Sequence, residues 1–322
     1  MNLLLIADIG GTNARFALWD GHRPTQVAVL APADFTTPNA AVHHYLRGVG
    51  ATAQDLQAVC LACAGPVLGD CFDFTNNHWQ LGRSQFCQEF GLNGLLLVND
   101  FVAQALAITR LDESQLQPIR PGQAVADAPR LVIGPGTGLG ASALVPLANG
   151  HWQALAGEGG HVDLPIGNAE EYALWQWLQD NIAHFDAEQV LSGPGLVNLY
   201  RAMAQRNGWS ASLADAQAIT QAALAGDGQA RAVVEQFCCF LGRVVGNAVL
   251  TLGARGGVYL VGGILPRIAG LFKDSGFVRC LNDKGKMSAY VSRVPVWLVT
   301  AESPGLLGAG VALQQHLEAG AL

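Results

Sequence analysis

The chain has 322 residues, with 18 Lys+Arg against 25 Asp+Glu for a formal net charge of −7, and half of it is hydrophobic. That length suggests two domains at roughly 100–200 residues each, and so hydrophobic a composition excludes a disordered chain. An acidic chain without a Lys/Arg cluster is not built to bind nucleic acid.

The opening run Met1 to Ala7 is apolar, but Asp8 ends it far short of the ~20 residues a membrane-spanning helix needs. No basic segment precedes it, so it does not read as a signal peptide, and the expected location is cytoplasmic, without a membrane partner. Seven cysteines are an odd, scattered set that does not suggest a disulfide framework. Cys60 and Cys63 have apolar flanks and read as buried thiols in a strand, and Cys238-Cys239 as packed thiols in a helix.

In chain order, Leu3 to Ala7 is a continuous apolar run, as in a strand buried on both faces. The cluster Gly10-Gly11-Thr12-Asn13 follows, then a second strand from Arg15 to Asp20, which makes a hairpin. Val59 to Ala64 and Leu95 to Val98 read as further buried strands, with a short helix from Ser84 to Phe90. Residues 118–129 read as a loop. The first pattern returns about 125 residues later: the strand Arg130 to Ile133, the turn Gly134 to Gly140, and a strand over Ala141 to Val145. Helices are expected over Glu170–Asn181, Gly195–Gln205 and Ala230–Leu252. Val258 to Val261 is a strand ending in Gly262-Gly263, Val294 to Val299 is the last strand, and Leu306 to Leu317 is a closing helix. This alternation is α/β organisation. The two hairpins suggest a duplicated domain, each half offering a glycine turn to a shared cleft.

Bare backbone at a strand end lets N–H groups approach phosphate oxygens. No G-K-[S/T] occurs, so the turns are not P-loops. Gly136, Gly138 and Ala141 fit a dinucleotide fingerprint with Glu158 about 20 residues on, but that motif must open a helix, and 141–145 reads as a strand. Asn99-Asp100 follows a core strand, where α/β sheets bind ligands, although either residue could equally cap a helix. Gly157-Glu158-Gly159-Gly160-His161 places an acid and an imidazole among glycines, a loop with too few side chains to pack a core. Glu188 by itself reads as an ordinary acid at a helix start or on the surface.

Asp8-Ile9-Gly10-Gly11-Thr12-Asn13-Ala14-Arg15 resembles the first phosphate motif of the sugar kinase, Hsp70 and actin superfamily; Gly134 to Gly140 resembles the second, and Val261 to Ile264 the adenosine motif. More narrowly, Leu97 to Phe101, Gly157 to Asp163, Val190 to Leu196 and Ser303 to Gly308 resemble the bacterial glucokinase family of the enterobacterial type. These matches run in order from Ala7 to Gly308.

The resemblance implies a two-domain actin-like ATPase (ribonuclease H-like) fold with a cleft between the domains. Residues 1–110 with about 301–322 would form the smaller domain, and 111–300 the larger. It implies ATP-dependent phosphorylation of D-glucose to glucose 6-phosphate, the first step of glycolysis, with Asp100 as general base. Asn99, Asp100, Glu158, His161 and Glu188 would bind the sugar, which replaces the bland reading of Glu188. Ala7, Asp8, Ile9, Gly10, Gly11, Thr12 and Asn13, with Gly136, Thr137, Gly138, Gly262 and Gly263, would bind ATP, and Asp8 would organise Mg2+, directly or through water. A homodimer is implied as well. The C-x-C-G zinc cluster of the related ROK kinases is absent near His161, so no structural zinc is expected. A ROK-type repressor would carry an N-terminal helix-turn-helix, whereas the first strand begins at residue 3, which disfavours that subfamily. Other readings are a kinase for another hexose, an actin-like ATPase without a sugar substrate, and a non-catalytic sugar sensor.

Overall fold

The computed structural model describes every residue except Met1, Pro66, Leu68, Thr75 and Leu322. Met1, which opens the first apolar run, and Leu322, which ends the expected smaller domain, therefore lie outside the described residues. The early strands are β1 (Leu3–Ile9), β2 (Ala14–Trp19), β3 (Pro24–Leu30), β4 (Leu56–Cys63), β5 (Cys71–Asp73), β6 (Gln80–Gly82) and β7 (Leu95–Asn99). The later ones are β8 (Leu116–Arg120), β9 (Arg130–Pro135), β10 (Leu139–Pro146), β11 (Trp152–Gly157), β12 (Val258–Leu260) and β13 (Val296–Val299). The chain divides into two compact units. One comprises Met1–Leu111, Leu147–Ala156 and Ala301–Leu322; the other comprises Asp112–Pro146 and Gly157–Thr300.

The first unit is built on a sheet of order β3-β2-β1-β4-β7. β1 and β2 are an antiparallel hairpin in which Asp8 stands opposite Arg15. β4 lies parallel to β1, and β7 parallel to β4. The continuous apolar runs form these strands because the sheet is covered on both faces: Leu5, Ile6, Ala7 and the β4 residues Val59 to Cys63 are fully buried. The helix Pro304–Glu318 packs against the helix Asp100–Ala107. Their approach is close enough that a Cβ on Gly308 would lie 1.6 Å from the Ala103 carbonyl oxygen.

The second unit repeats the arrangement. Its sheet runs β10-β9-β12-β13-β8, with β9 and β10 antiparallel and β12 parallel to both β9 and β13. A Cβ on Gly134 would lie 1.9 Å from the Val261 oxygen, so β9 is glycine where it meets the end of β12. The helix Gly228–Leu252 is long and apolar enough to cross a bilayer, yet most of it is buried in this unit's core. Its glycines serve packing: Cβ atoms on Gly242 and Gly246 would meet the backbone of the helix Phe277–Asn282 at 2.3 and 2.7 Å.

One expectation is corrected. Residues 118–120 belong to β8, paired antiparallel with β13, and not to a loop. Pro118 is tolerated there because β8 is an edge strand, where a missing N–H interrupts no ladder. All seven cysteines are free, with Cys60, Cys63, Cys238 and Cys239 buried.

Candidate active site

In the first unit, the hairpin turn between β1 and β2 is closed by the Gly10 N–H donating to the Asn13 oxygen at 3.0 Å. Asn77 donates to the Gly10 oxygen at 3.1 Å, and a Cβ on Gly11 would lie 2.6 Å from the Asn76 oxygen. The turn is thus bare backbone held from behind, with Thr12 and Asn13 exposed. Asp8 enters from the end of β1. Its carboxyl is pushed up to about 6, chiefly by burial and further by the negative charge of Asp100, against the pull of Arg15. The N-terminal turn of Pro304–Glu318 packs onto it, so a Cβ on Gly305 would fall 2.7 Å from Asp8 Oδ2.

Asn99 ends β7 and caps the helix Asp100–Ala107, its Oδ1 accepting from the N–H groups of Phe101 and Val102 at 2.9 and 3.2 Å. Its Nδ2 donates to the Gly65 oxygen at 3.3 Å. Asn99 therefore caps the helix, and its Nδ2 keeps a second N–H for another acceptor. Asp100, the first helical residue, takes the Phe101 N–H on Oδ1 at 3.0 Å, and a carboxylate at a helix N-terminus is stabilised there by the helix dipole. This unit brings together Asp8, Asp100, Asn99 and the turn Gly10 to Asn13.

In the second unit, the β9–β10 turn is closed by the Gly136 N–H donating to the Gly138 oxygen at 2.7 Å, and the Gly193 N–H donates to the Gly136 oxygen at 2.8 Å. Gly193 begins a helix that runs to Asn207 and is capped by Ser192. The Ser192 hydroxyl in turn donates to the Glu188 carbonyl at 2.8 Å. The Ser192-Gly193-Pro194 stretch is thereby explained: it anchors the glycine turn. Glu188 does the same with its side chain, Oε2 accepting the Leu139 N–H at 2.7 Å. A Cβ at 138 would lie 2.5 Å from that oxygen, so a larger residue there would push the Glu188 carboxylate off the Leu139 N–H. Gly262 has φ +90, and a Cβ on it would approach the Pro135 oxygen to 2.4 Å, so the third glycine cluster abuts the same turn.

The loop Glu158 to His161 lies along β10. A Cβ on Gly160 would come within 1.9 Å of the Leu139 oxygen, so glycine is required for the approach. The loop is stitched to residues 186–188: Glu188 N–H donates to the Gly160 oxygen, and Ala187 N–H to the Val162 oxygen, both at 2.9 Å. His161 Nδ1 lies 2.8 Å from Asp186 Oδ2. The Asp186 hydrogen bond raises the imidazole above its ordinary range, with smaller help from the charges of Glu188 and Glu158. Glu158, His161, Glu188, the Gly136–Gly138 turn and Gly262-Gly263 all belong to this unit.

Sequence reasoning missed Asp186 and Asn77, which hold His161 and the first turn; Gly305, which packs on Asp8, lay within the Ser303 to Gly308 motif with no role given to it. A lone side chain in a loop has no spacing to mark it; only the Asp-Ala-Glu order, with Glu188 two residues on, hinted at Asp186.

Among the described residues no group of three or more His, Cys, Asp or Glu could hold a metal ion. The described residues thus form no all-protein cage, whereas one carboxylate beside a bare glycine turn fits Mg2+, which binds through one or two carboxylates, phosphate oxygens and water.

Two units with matched hairpins and glycine turns, one bearing a strand-end carboxylate and the other an acid–imidazole loop, define a phosphotransferase of the actin-like two-domain ATPase fold. The comparisons narrow this. The family model described as Glucokinase matches residues 5–316. A glucokinase of Pseudomonas paraeruginosa is 54% identical over 98% of this chain and 94% of its own length. The crystal structure of a glucokinase from an Antarctic psychrotroph superposes with a TM-score of 0.88 at 38% identity, covering 98% of this chain and 99% of that one. A ROK family glucokinase from Streptomyces griseus, solved in complex with glucose and AMPPNP, shares the fold at TM-score 0.63 and 20% identity, over 98% of this chain and all of that one. The chain belongs to the glucokinase family.

Proposed function

We propose that this protein transfers the γ-phosphoryl group of ATP to the 6-hydroxyl of D-glucose. The observation that carries the reading, beside family membership, is the loop in which Glu158, Glu188 and the Asp186-held His161 gather next to a glycine turn. An ATPase without a sugar substrate has no use for an exposed imidazole backed by three carboxylates. A hexose does, because buried or partly buried acceptors and donors reject an analogue that leaves one of them unpaired.

Phosphoryl transfer is mostly positioning and charge neutralisation, with one proton acceptor for the nucleophile. Asp100 accepts the proton of the 6-hydroxyl as it attacks, and Asn99, Glu158, His161 and Glu188 orient the ring through its other hydroxyls. Both glycine turns present N–H groups to phosphate oxygens. Gly262-Gly263 would lie against the adenosine; a nucleotide site is supported by the Streptomyces griseus glucokinase, which was solved with glucose and AMPPNP. Asp8 would hold Mg2+, directly or through water; when bound, the ion neutralises charge on the phosphates. The product, glucose 6-phosphate, is that of the first step of glycolysis. We further propose a cytoplasmic homodimer; sedimentation as a monomer at working concentration would contradict the dimer.

Incubation with Mg-ATP and, separately, glucose, fructose, mannose and N-acetylglucosamine tests the reading. Glucose is expected to give a 6-phosphate ester by 31P NMR with matching ADP release. ADP release without sugar would favour the actin-like ATPase, and glucose binding without turnover would favour the sensor.

A further inference from the structure

We propose that Asp186 is a positioning residue for hexose binding: its carboxylate fixes the His161 ring with Nδ1–H turned toward it, so that Nε2 is the edge offered to a sugar oxygen. The inference rests on the glucokinase reading of the site. The His161 side chain is 51% exposed and that of Asp186 only 5%, so the acid is the buried anchor and the ring the accessible group. Asp186 is itself held. Its Oδ1 accepts the Gln189 N–H at 3.1 Å, and the following Ala187 and Glu188 pair through their main chain with Val162 and Gly160. The carboxylate therefore cannot follow the ring if it rotates.

The charged groups acting on His161 are Asp186 and Glu188, from one loop, and Glu158, from its own. All are acids, and they favour the imidazolium. In that state Nε2–H is a donor, in the same loop cluster as the Glu158 and Glu188 carboxylates, which can only accept. The loop then offers one donor and two acceptors, a pattern that sorts hexose hydroxyls by orientation. With a neutral ring, Nε2 presents a lone pair and the pattern becomes three acceptors.

The test is Asp186→Asn, with Asp186→Glu as the conservative control. The Asn variant is expected to raise KM for glucose about tenfold, as for loss of a charge-assisted hydrogen bond, with kcat within about threefold. The alkaline fall of kcat/KM should move to lower pH, and Asp186→Glu should restore it in part. Imidazole NMR, with the His161 signal assigned through His161→Gln, should show that ring titrating above about 6.5 in the wild type and lower in Asp186→Asn. Unchanged titration and an unchanged KM profile in Asp186→Asn would overturn the proposal, as would a loss of kcat and thermal stability without the pH shift. Should Asp186→Asn fail to fold, the wild-type titration decides: a value at or below about 6.5 overturns the pairing. If the wild type fails to phosphorylate glucose, the glucokinase reading falls, and the ring titration still tests the pair separately.

Discussion

At the scale of single residues, the site depends on acids whose surroundings give them different tasks. Asp8 stands opposite Arg15 in the hairpin and beside Asp100, with its carboxyl pushed up to about 6 by burial. Asp100 sits at a helix N-terminus with a backbone N–H on one oxygen. Asp186 pairs with His161, and Glu188 accepts the Leu139 N–H while its charge acts on His161. The His161 shift has a consequence for stability. A histidine whose folded value is raised adds stability that is fully present below its unfolded value and is lost as pH rises through the folded one. Wild type should therefore exceed Asp186→Asn in denaturation midpoint by more at pH 5.5 than at pH 8.5. Chemical denaturation at the two pH values measures this, and a gap that is constant or widens with pH would contradict it. The ring is half exposed, so the effect will be small.

At the scale of elements, glycine decides how closely chain segments approach. The helix that begins at Asp100 is held by the helix Pro304–Glu318, whose Gly308 has no room for a Cβ against Ala103. Gly308→Ala would push the two helices apart, and overpacking against rigid backbone costs about 1–3 kcal/mol, occasionally more. Because Asp100 is the first residue of the displaced helix and Gly305 packs on Asp8, turnover should fall along with the melting temperature. A variant with wild-type stability and kcat would show that the contact is soft. In the other unit, the helix from Gly193, the Ser192 cap and Glu188 form a chain of hydrogen bonds that ends on the Gly136–Gly138 turn. The turn is shaped by its neighbours, not by its own sequence alone.

At the scale of the whole molecule, the duplicated hairpin is the feature most legible in the sequence. Leu3 to Ala7 and Arg130 to Ile133 are continuous apolar runs leading into glycine, and each proves to be a buried strand with an antiparallel partner. Elements with weaker physical demands left weaker traces. β3 is an edge strand with Val27 and Val29 more than half exposed, so its pattern says little about a core. β5 and β6 are three residues each, too short for any period to show. The excursion 147–156, grouped with the first unit, has no composition that marks it. Asn99 read from the sequence as a ligand or a cap, and its Oδ1 caps the helix while the Nδ2 group is left with a second donor. The roles proposed for Asp100 and Glu188 came through family resemblance, because a single acid has no periodicity to read.

The most direct test of the account compares glucose-dependent ADP release from Mg-ATP by the wild type and by Asp100→Asn. A general base is typically worth about 10²–10⁴-fold. The variant should lose that much in kcat while keeping its melting temperature and its affinity for glucose within a few-fold. Glucose turnover that survives in Asp100→Asn at the wild-type rate would contradict the account, because the proton of the 6-hydroxyl would then be going elsewhere.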